Sequence, residues 1–264
     1  MKITNPSKVK NKKLFVFDLD DTLAESKTPM DQEMAGLIKQ LLEKKKMAVI
    51  GGGKYEIFKW QFISQLNIPK KLLENLHLFP TSGNAYYRYK SGWKNVYSHN
   101  LTTKEKKQIR DAFEEVYKEI NYKHPKKVYG EILEDRKSQM SFSPLGQDIV
   151  TVLGKKGLKM KEDWRKKYDS IRHQIAKLLS KKLPNLEVRV GGITTIDVTM
   201  KGIDKAYGVR QMEKHLKIKI KDMFFVGDAI FPGGNDYAVL KTGIDYMPIK
   251  SSEETKQIIR KVLE

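Results

Sequence analysis

The chain has 264 residues, 39% hydrophobic and 31% charged, which suits one large domain or two small ones with a real core and excludes a disordered chain. Cysteine is absent, so disulfides, thiolate catalysis and cysteine–zinc sites are excluded, and no apolar run approaches the ~18 residues of a membrane-spanning helix. The net charge of +19 favours anionic partners, but the lysines are scattered over helix-like faces and turns with no zinc-finger or RNA-binding pattern, so nucleic acid and membrane are disfavoured. Met1–Pro6 is too polar to open a secretory signal, which makes cytoplasm the expected location.

In chain order, the first element is the apolar run Leu14-Phe15-Val16-Phe17, which ends at Asp18. Met47-Ala48-Val49-Ile50 follows and ends at Gly51; Met223-Phe224-Phe225-Val226, far downstream, ends at Gly227-Asp228. Each run is short, lacks polar alternation and precedes a helical pattern, as expected for parallel strands covered on both faces. This predicts a doubly wound, Rossmann-like α/β core, whose ligands bind outside the carboxyl ends of the strands. Between the second and third runs the pattern changes. Tyr86–Tyr89 and Trp93–Tyr97 flank Lys90-Ser91-Gly92 as a hairpin. A helix is expected over Thr103–Ile120, with Thr102 and Glu105 as a capping box and Ile109, Phe113, Val116 and Ile120 as its apolar stripe. Strands at Ile132–Asp135 and Ser138–Ser143, a helix over Lys161–Leu179, and strands at Glu187–Val190 and Thr195–Met200 complete the segment. Residues 84–197 thus read as an inserted α+β cap, and residues 1–83 with 198–264 as the core. A helix over Lys205–His215 and a last one starting near Ser251 or Ser252 close the chain.

The strongest chemical signal is Asp18-Leu19-Asp20-Asp21-Thr22 at the first strand's tip. Three carboxylates beside a buried strand repel one another, and a hard cation bound by oxygens, such as magnesium, relieves this. In the functional reading Asp18 is a carboxylate nucleophile toward phosphorus, and Asp20 is a general acid and then a general base. Thr22 would hold the loop or a phosphate. An acidic surface turn or a helix N-cap is the alternative reading. Asp228 follows another buried strand and would share the cation with Asp18, while Gly233-Gly234 presents Asn235 and Asp236 as further candidate ligands. Asp236 reads equally well as a helix cap. Lys205 would offset the carboxylates and a transferring phosphoryl group, although one lysine among so many is a weak sign. Gly51, Gly52 and Gly53 are either a flexible turn or a backbone-amide cradle for phosphate.

These pieces, in this order, resemble the haloacid dehalogenase superfamily; its second motif usually carries Ser or Thr where this chain has Gly51-Gly52-Gly53. Glu134 to Gln147, Gly191 to Val198, Gly202 to Lys205 and Phe225 to Asp236 resemble eukaryotic-type phosphomannomutases and related bacterial hydrolases of the type IIB cap branch. The resemblance implies magnesium held by Asp18, Asp228 and the main-chain carbonyl of Asp20, and a site in the cleft between core and cap. It implies a sugar phosphate substrate, with Arg136 on its distal phosphate and Thr195 and Asp197 on its hydroxyls. Gln147 stands where the mutases carry arginine, which favours a phosphosugar phosphatase over a phosphohexomutase. The mutase reading brings a hexose bisphosphate activator with it, and a homodimer through the cap is a further expectation. A basic nucleic-acid-binding protein on an inactive scaffold is the reading from another class; the retention of Asp18, Asp20, Lys205 and Asp228 opposes it.

Overall fold

A computed structural model describes residues 9–264, so the polar stretch Met1–Pro6 lies outside the described residues. The chain divides into two compact units: residues up to Ser98 with Ile203–Glu264, and His99–Gly202. In chain order the strands are β1 (Leu14–Asp18), β2 (Lys46–Ile50), β3 (Leu76–Phe79), β4 (Ala85–Tyr89), β5 (Trp93–Ser98), β6 (Leu133–Asp135), β7 (Gln139–Phe142), β8 (Leu186–Gly191), β9 (Thr195–Met200), β10 (Met223–Gly227) and β11 (Asp245–Pro248).

The first unit is a mixed α/β layer structure around one sheet, ordered β11-β10-β1-β2-β3-β4-β5. The five strands from β11 to β3 run parallel, and β4 and β5 are antiparallel additions at one edge. Both faces of the parallel part are covered, which explains the unbroken apolar runs. Phe15, Phe17, Phe224 and Val226 belong to one core cluster, with Met34, Ile38 and Leu41 of the helix Gln32–Lys44 and Ile258 and Ile259 of the helix Ser252–Leu263. Leu14, Val16, Ala48 and Phe225 belong to another, with Val209 and Met212 of the helix Lys205–Leu216. From β1 the chain winds one way through β2 and β3, and later returns on β1's other side as β10 and β11. Strand order therefore reverses between β1 and β10, the place where such sheets leave a crevice at their carboxyl ends.

The second unit is a four-stranded antiparallel sheet, β6-β7-β9-β8, with two long helices and one short one. The capping box expected at Thr102 and Glu105 is present, and it starts the helix Thr103–Glu119. Ile109, Phe113 and Val116 of that helix and Ile175 and Leu179 of the helix Lys155–Lys182 share a core with Met140, Phe142, Ile196 and Val198. Because side chains alternate along a strand, Ser141 and Asp197 fall on the opposite face from these core residues.

Three features differ from expectation. The hairpin of β4 and β5 does not open the insert: Leu78 pairs with Tyr87, so the hairpin extends the core sheet and the second unit runs from His99 to Gly202 rather than over 84–197. The link from β3 to β4 is a left-handed turn, with Thr81 at φ 48°, Ser82 at φ 57° and Gly83 at φ 87°, that turns the chain back antiparallel in the same sheet. The helix expected over Lys161–Leu179 spans Lys155–Lys182, with a non-helical residue, Tyr168, inside it. It also follows a short helix, Ile149–Leu153, that the sequence pattern did not suggest.

Candidate active site

β1 ends at Asp18 with its carboxylate almost fully buried, and β10 ends one residue before Asp228. Phe17 sits opposite Val226, so the strand pairing itself carries Asp18 and Asp228 to adjacent tips. Carboxylate oxygens of Asp18, Asp228 and Asp236 all lie within 4.8 Å of one another. Lys205, first residue of its helix and 1% exposed, sends its Nζ to Asp18 Oδ1 at 2.7 Å and also to Asp236 Oδ1. The helix N-cap is Asp204, whose side chain accepts from the Tyr207 N–H.

Burial alone would strip the proton from Lys205, but Asp18 and Asp236 outweigh it and hold the ammonium above its usual range. One ammonium does not balance three carboxylates. Burial pushes Asp18 well up against the pull of Lys205, with Asp236 and Asp228 adding to the rise. Burial and Asp236 push Asp228 up to about 6 despite Lys205. This uncompensated, all-oxygen donor set fits a hard divalent cation. The second oxygen of Asp236 accepts from the Ala229 N–H at 3.2 Å. Asp236 therefore caps no helix: it anchors Lys205 and the loop after Asp228. Gly227 makes room for it, since a Cβ there would come within 2.4 Å of Asp236 Oδ2. Asn235, its neighbour, is exposed, and the acidic cluster does not include it.

The loop after β1 folds tightly on itself. Asp21 takes φ 56°, and the Leu23 and Ala24 N–H groups both donate to the Leu19 carbonyl. Asp20 lies outside the three-carboxylate cluster. Its Oδ1 accepts from the Lys27 N–H and from Gln61 Nε2, each at 3.0 Å. Thr22 is fully buried, and its Oγ1 has no hydrogen-bond partner among the described residues. Gly51 follows β2, and a Cβ there would lie 3.3 Å from Leu19 Cβ and 3.5 Å from Asp18 Oδ1, so the Gly51 backbone lies close beside Asp18. The Thr81 and Ser82 N–H groups donate to Gly53 O and Gly51 O, so the left-handed turn fixes the loop that carries Gly52 and Gly53.

The remaining expected residues lie in the second unit and form their own network. Arg136 donates to Glu134 at 2.7 Å and to Gln147 Oε1 at 3.1 Å. Gln147 Nε2 donates to Ser141 O at 2.7 Å, and the Ser141 hydroxyl donates to Asp197 Oδ1 at 2.6 Å. The Thr195 hydroxyl donates to the Gly191 carbonyl at 2.5 Å. Two residues here escaped the sequence reading. Ser141 links Asp197 to Gln147. Arg172, 2% exposed, donates through Nη1 to the carbonyls of Gly191, Gly192 and Ile193 and holds the turn before Thr195. Arg172 comes from a different helix, so local pattern gave no sign of it. Gln61, the partner of Asp20, was missed for the same reason.

A family-wide profile described as haloacid dehalogenase-like hydrolase matches residues 15–263. The phosphomannomutase of Encephalitozoon cuniculi is 27% identical over 241 residues, covering 86% of this chain and 84% of that protein. The phosphomannomutase of Drosophila melanogaster is 24% identical over 261 residues, covering 95% of each. Among solved structures, N-terminally truncated Plasmodium falciparum IMP-nucleotidase with IMP bound superposes with a TM-score of 0.68 at 15% identity, over 98% of this chain and 71% of that one. At that identity the likeness shows the fold alone. No described helix is long and apolar enough to cross a membrane.

Proposed function

The chain belongs to the haloacid dehalogenase-like hydrolase family, and from that premise we propose that it is a magnesium-dependent phosphosugar phosphatase working through an aspartyl-phosphate on Asp18. The observation that carries this is the buried Lys205 bridging Asp18 and Asp236 with Asp228 alongside, at the sheet's order reversal. Asp18, Asp228 and the main-chain carbonyl of Asp20 would hold magnesium, which when bound would offset the negative charge on the phosphoryl oxygens. Lys205 adds fixed positive charge at the nucleophile without surrendering its proton.

In the first half-reaction an Asp18 carboxylate oxygen forms a bond to phosphorus. The bond from phosphorus to the sugar oxygen breaks, its electron pair stays on that oxygen, and Asp20 donates the proton. In the second, water attacks phosphorus and gives a proton back to Asp20. The Asp18–phosphorus bond breaks, restoring the carboxylate and releasing phosphate. Arg136, Gln147, Thr195 and Asp197 are assigned to recognition of the sugar by resemblance to the mutases.

Hydrolysis is favoured over mutation by Gln147. A neutral amide, with Oε1 on Arg136 and Nε2 on Ser141, stands where a mutase needs a cation for a second phosphate. The mutase reading rests on the phosphomannomutases above, and it carries the requirement for a hexose bisphosphate activator. The test supplies mannose 1-phosphate or glucose 1-phosphate with magnesium, with and without a hexose bisphosphate. Free phosphate without an isomeric product is expected. Activator-dependent hexose 6-phosphate would establish the mutase instead. Asp18→Asn should abolish turnover by at least about a thousandfold, and an unimpaired variant would refute the nucleophile assignment.

A further inference from the structure

Gln61 ends the short helix Tyr55–Gln61, is fully buried, and lies 41 residues beyond Asp20. Its amide nitrogen donates to Asp20 Oδ1 at 3.0 Å and approaches the Glu25 carbonyl at 3.3 Å. The Glu25 carbonyl is a pure acceptor, and Asp20 Oδ1 already accepts from the Lys27 N–H, so the amide must present its NH2 to them. The other end then has nothing to accept from: Oε1 is buried and without a partner among the described residues. A buried carbonyl oxygen left in this way is a burden on the fold, and a group kept at such a burden calls for a reason. The Gln61 main-chain carbonyl, by contrast, accepts from the Met30 N–H, a contact any residue would make.

We infer that Gln61 is a positioning residue for proton transfer, acting through Asp20; this rests on Asp20 being the proton donor. With the Lys27 N–H and the Gln61 amide both on Oδ1, that oxygen is committed as an acceptor. Oδ2 is then the oxygen available for proton transfer, and both donors oppose rotation of the carboxyl group, which would exchange the two oxygens. The leaving oxygen takes its proton from Oδ2 as its bond to phosphorus breaks, and water later returns one to the same atom. Gln61 thus keeps one oxygen in the transferring role through both half-reactions.

The test separates this role from structural support by leaving group. In the full-length enzyme with magnesium, kcat/KM reports only steps up to departure of the leaving group, so it isolates the first proton transfer. A 4-nitrophenolate leaves without protonation, whereas a sugar alkoxide does not. Gln61→Leu and the unbranched Gln61→Met should therefore lose about a hundredfold in kcat/KM on a hexose phosphate. On 4-nitrophenyl phosphate kcat/KM should change less than about threefold, while its kcat falls wherever dephosphorylation is limiting. The thermal midpoint of both variants should change little, because the orphaned oxygen is lost together with the amide's hydrogen bonds to Asp20 and Glu25; two variants keep the test open should one misfold. Equal kcat/KM losses on both substrates, no loss on either, or a fall in midpoint matching the fall in rate would each overturn the inference. Those outcomes leave the aspartyl-phosphate reading intact, since it fails separately, through full activity of Asp18→Asn.

Discussion

His77, on β3, is a buried imidazole whose Nδ1 pairs with the Tyr86 hydroxyl at 2.9 Å, while its Nε2 has no partner among the described residues. Burial, helped by Lys46 and Arg88, pulls its pKa down to about 4. The folded state therefore resists a proton that the unfolded chain accepts near pH 6.5. The resulting penalty is absent above that pH, grows as pH falls through 6.5, and is complete below about 4, at on the order of 3 kcal/mol. Urea unfolding of the wild type should lose that much more stability between pH 7 and pH 4 than His77→Gln, and parallel curves would contradict the assignment. At the same scale, Arg136→Ala should raise KM for sugar phosphates at least about tenfold more than KM for a small aryl phosphate, the loss of a charge-assisted contact worth about 1.5–3 kcal/mol; equal effects in steady-state assays would remove it from sugar recognition. That Asp18 and Asp228 come together was legible in the sequence because each stands where an apolar strand meets a polar stop, whereas Lys205 was raised only by its place in the order of motifs. Gln61 and Arg172 were not legible, because their importance lies in partners that the linear chain does not place beside them.

Among the elements, the left-handed turn at Thr81–Gly83 joins two parts of the candidate site. Its amides hold the Gly51–Gly53 loop, and Gly83 lies directly against Gly208 in the helix that begins with Lys205. A Cβ on Gly83 would approach Gly208 Cα to 2.5 Å, at a φ of 87° that side chains disfavour. Gly83→Ala should then cost about 2–4 kcal/mol, from left-handed strain and overpacking together. It should also lower kcat by displacing Lys205. A denaturant midpoint unchanged from wild type would show that the contact is loose. The long apolar strands β1, β2 and β10 could be read from pattern alone, since burial on both faces leaves an unmistakable run. β3 and β11 were missed. His77 interrupts β3, and β11 is the edge segment Asp245–Pro248, where a charge and a proline are tolerated because one side is unpaired. The β4–β5 hairpin was seen as a hairpin but placed on the wrong side of the boundary, because strand pairing across sheets is not a local property.

For the molecule as a whole, the cation proposed for the unbalanced carboxylates would tie stability to its concentration. Magnesium at a hundred times its Kd should add about 2.7 kcal/mol and raise the thermal midpoint. The shift should vanish in Asp228→Asn and persist in Gln147→Ala, which lies in the other unit; a shift retained in Asp228→Asn would place the cation elsewhere. The pairing of β1 with β10 also sets a timetable for biosynthesis. Leu14 lies opposite Met223, so β1, an interior strand of the large sheet, lacks one neighbour until most of the chain has been made. His99–Gly202 is contiguous and emerges complete ahead of β10, so it can fold while the first strands still wait. A ribosome stalled once Gly202 has cleared its exit would hold a finished insert on an unfinished enzyme, with Asp18 outside and its partner carboxylates still enclosed.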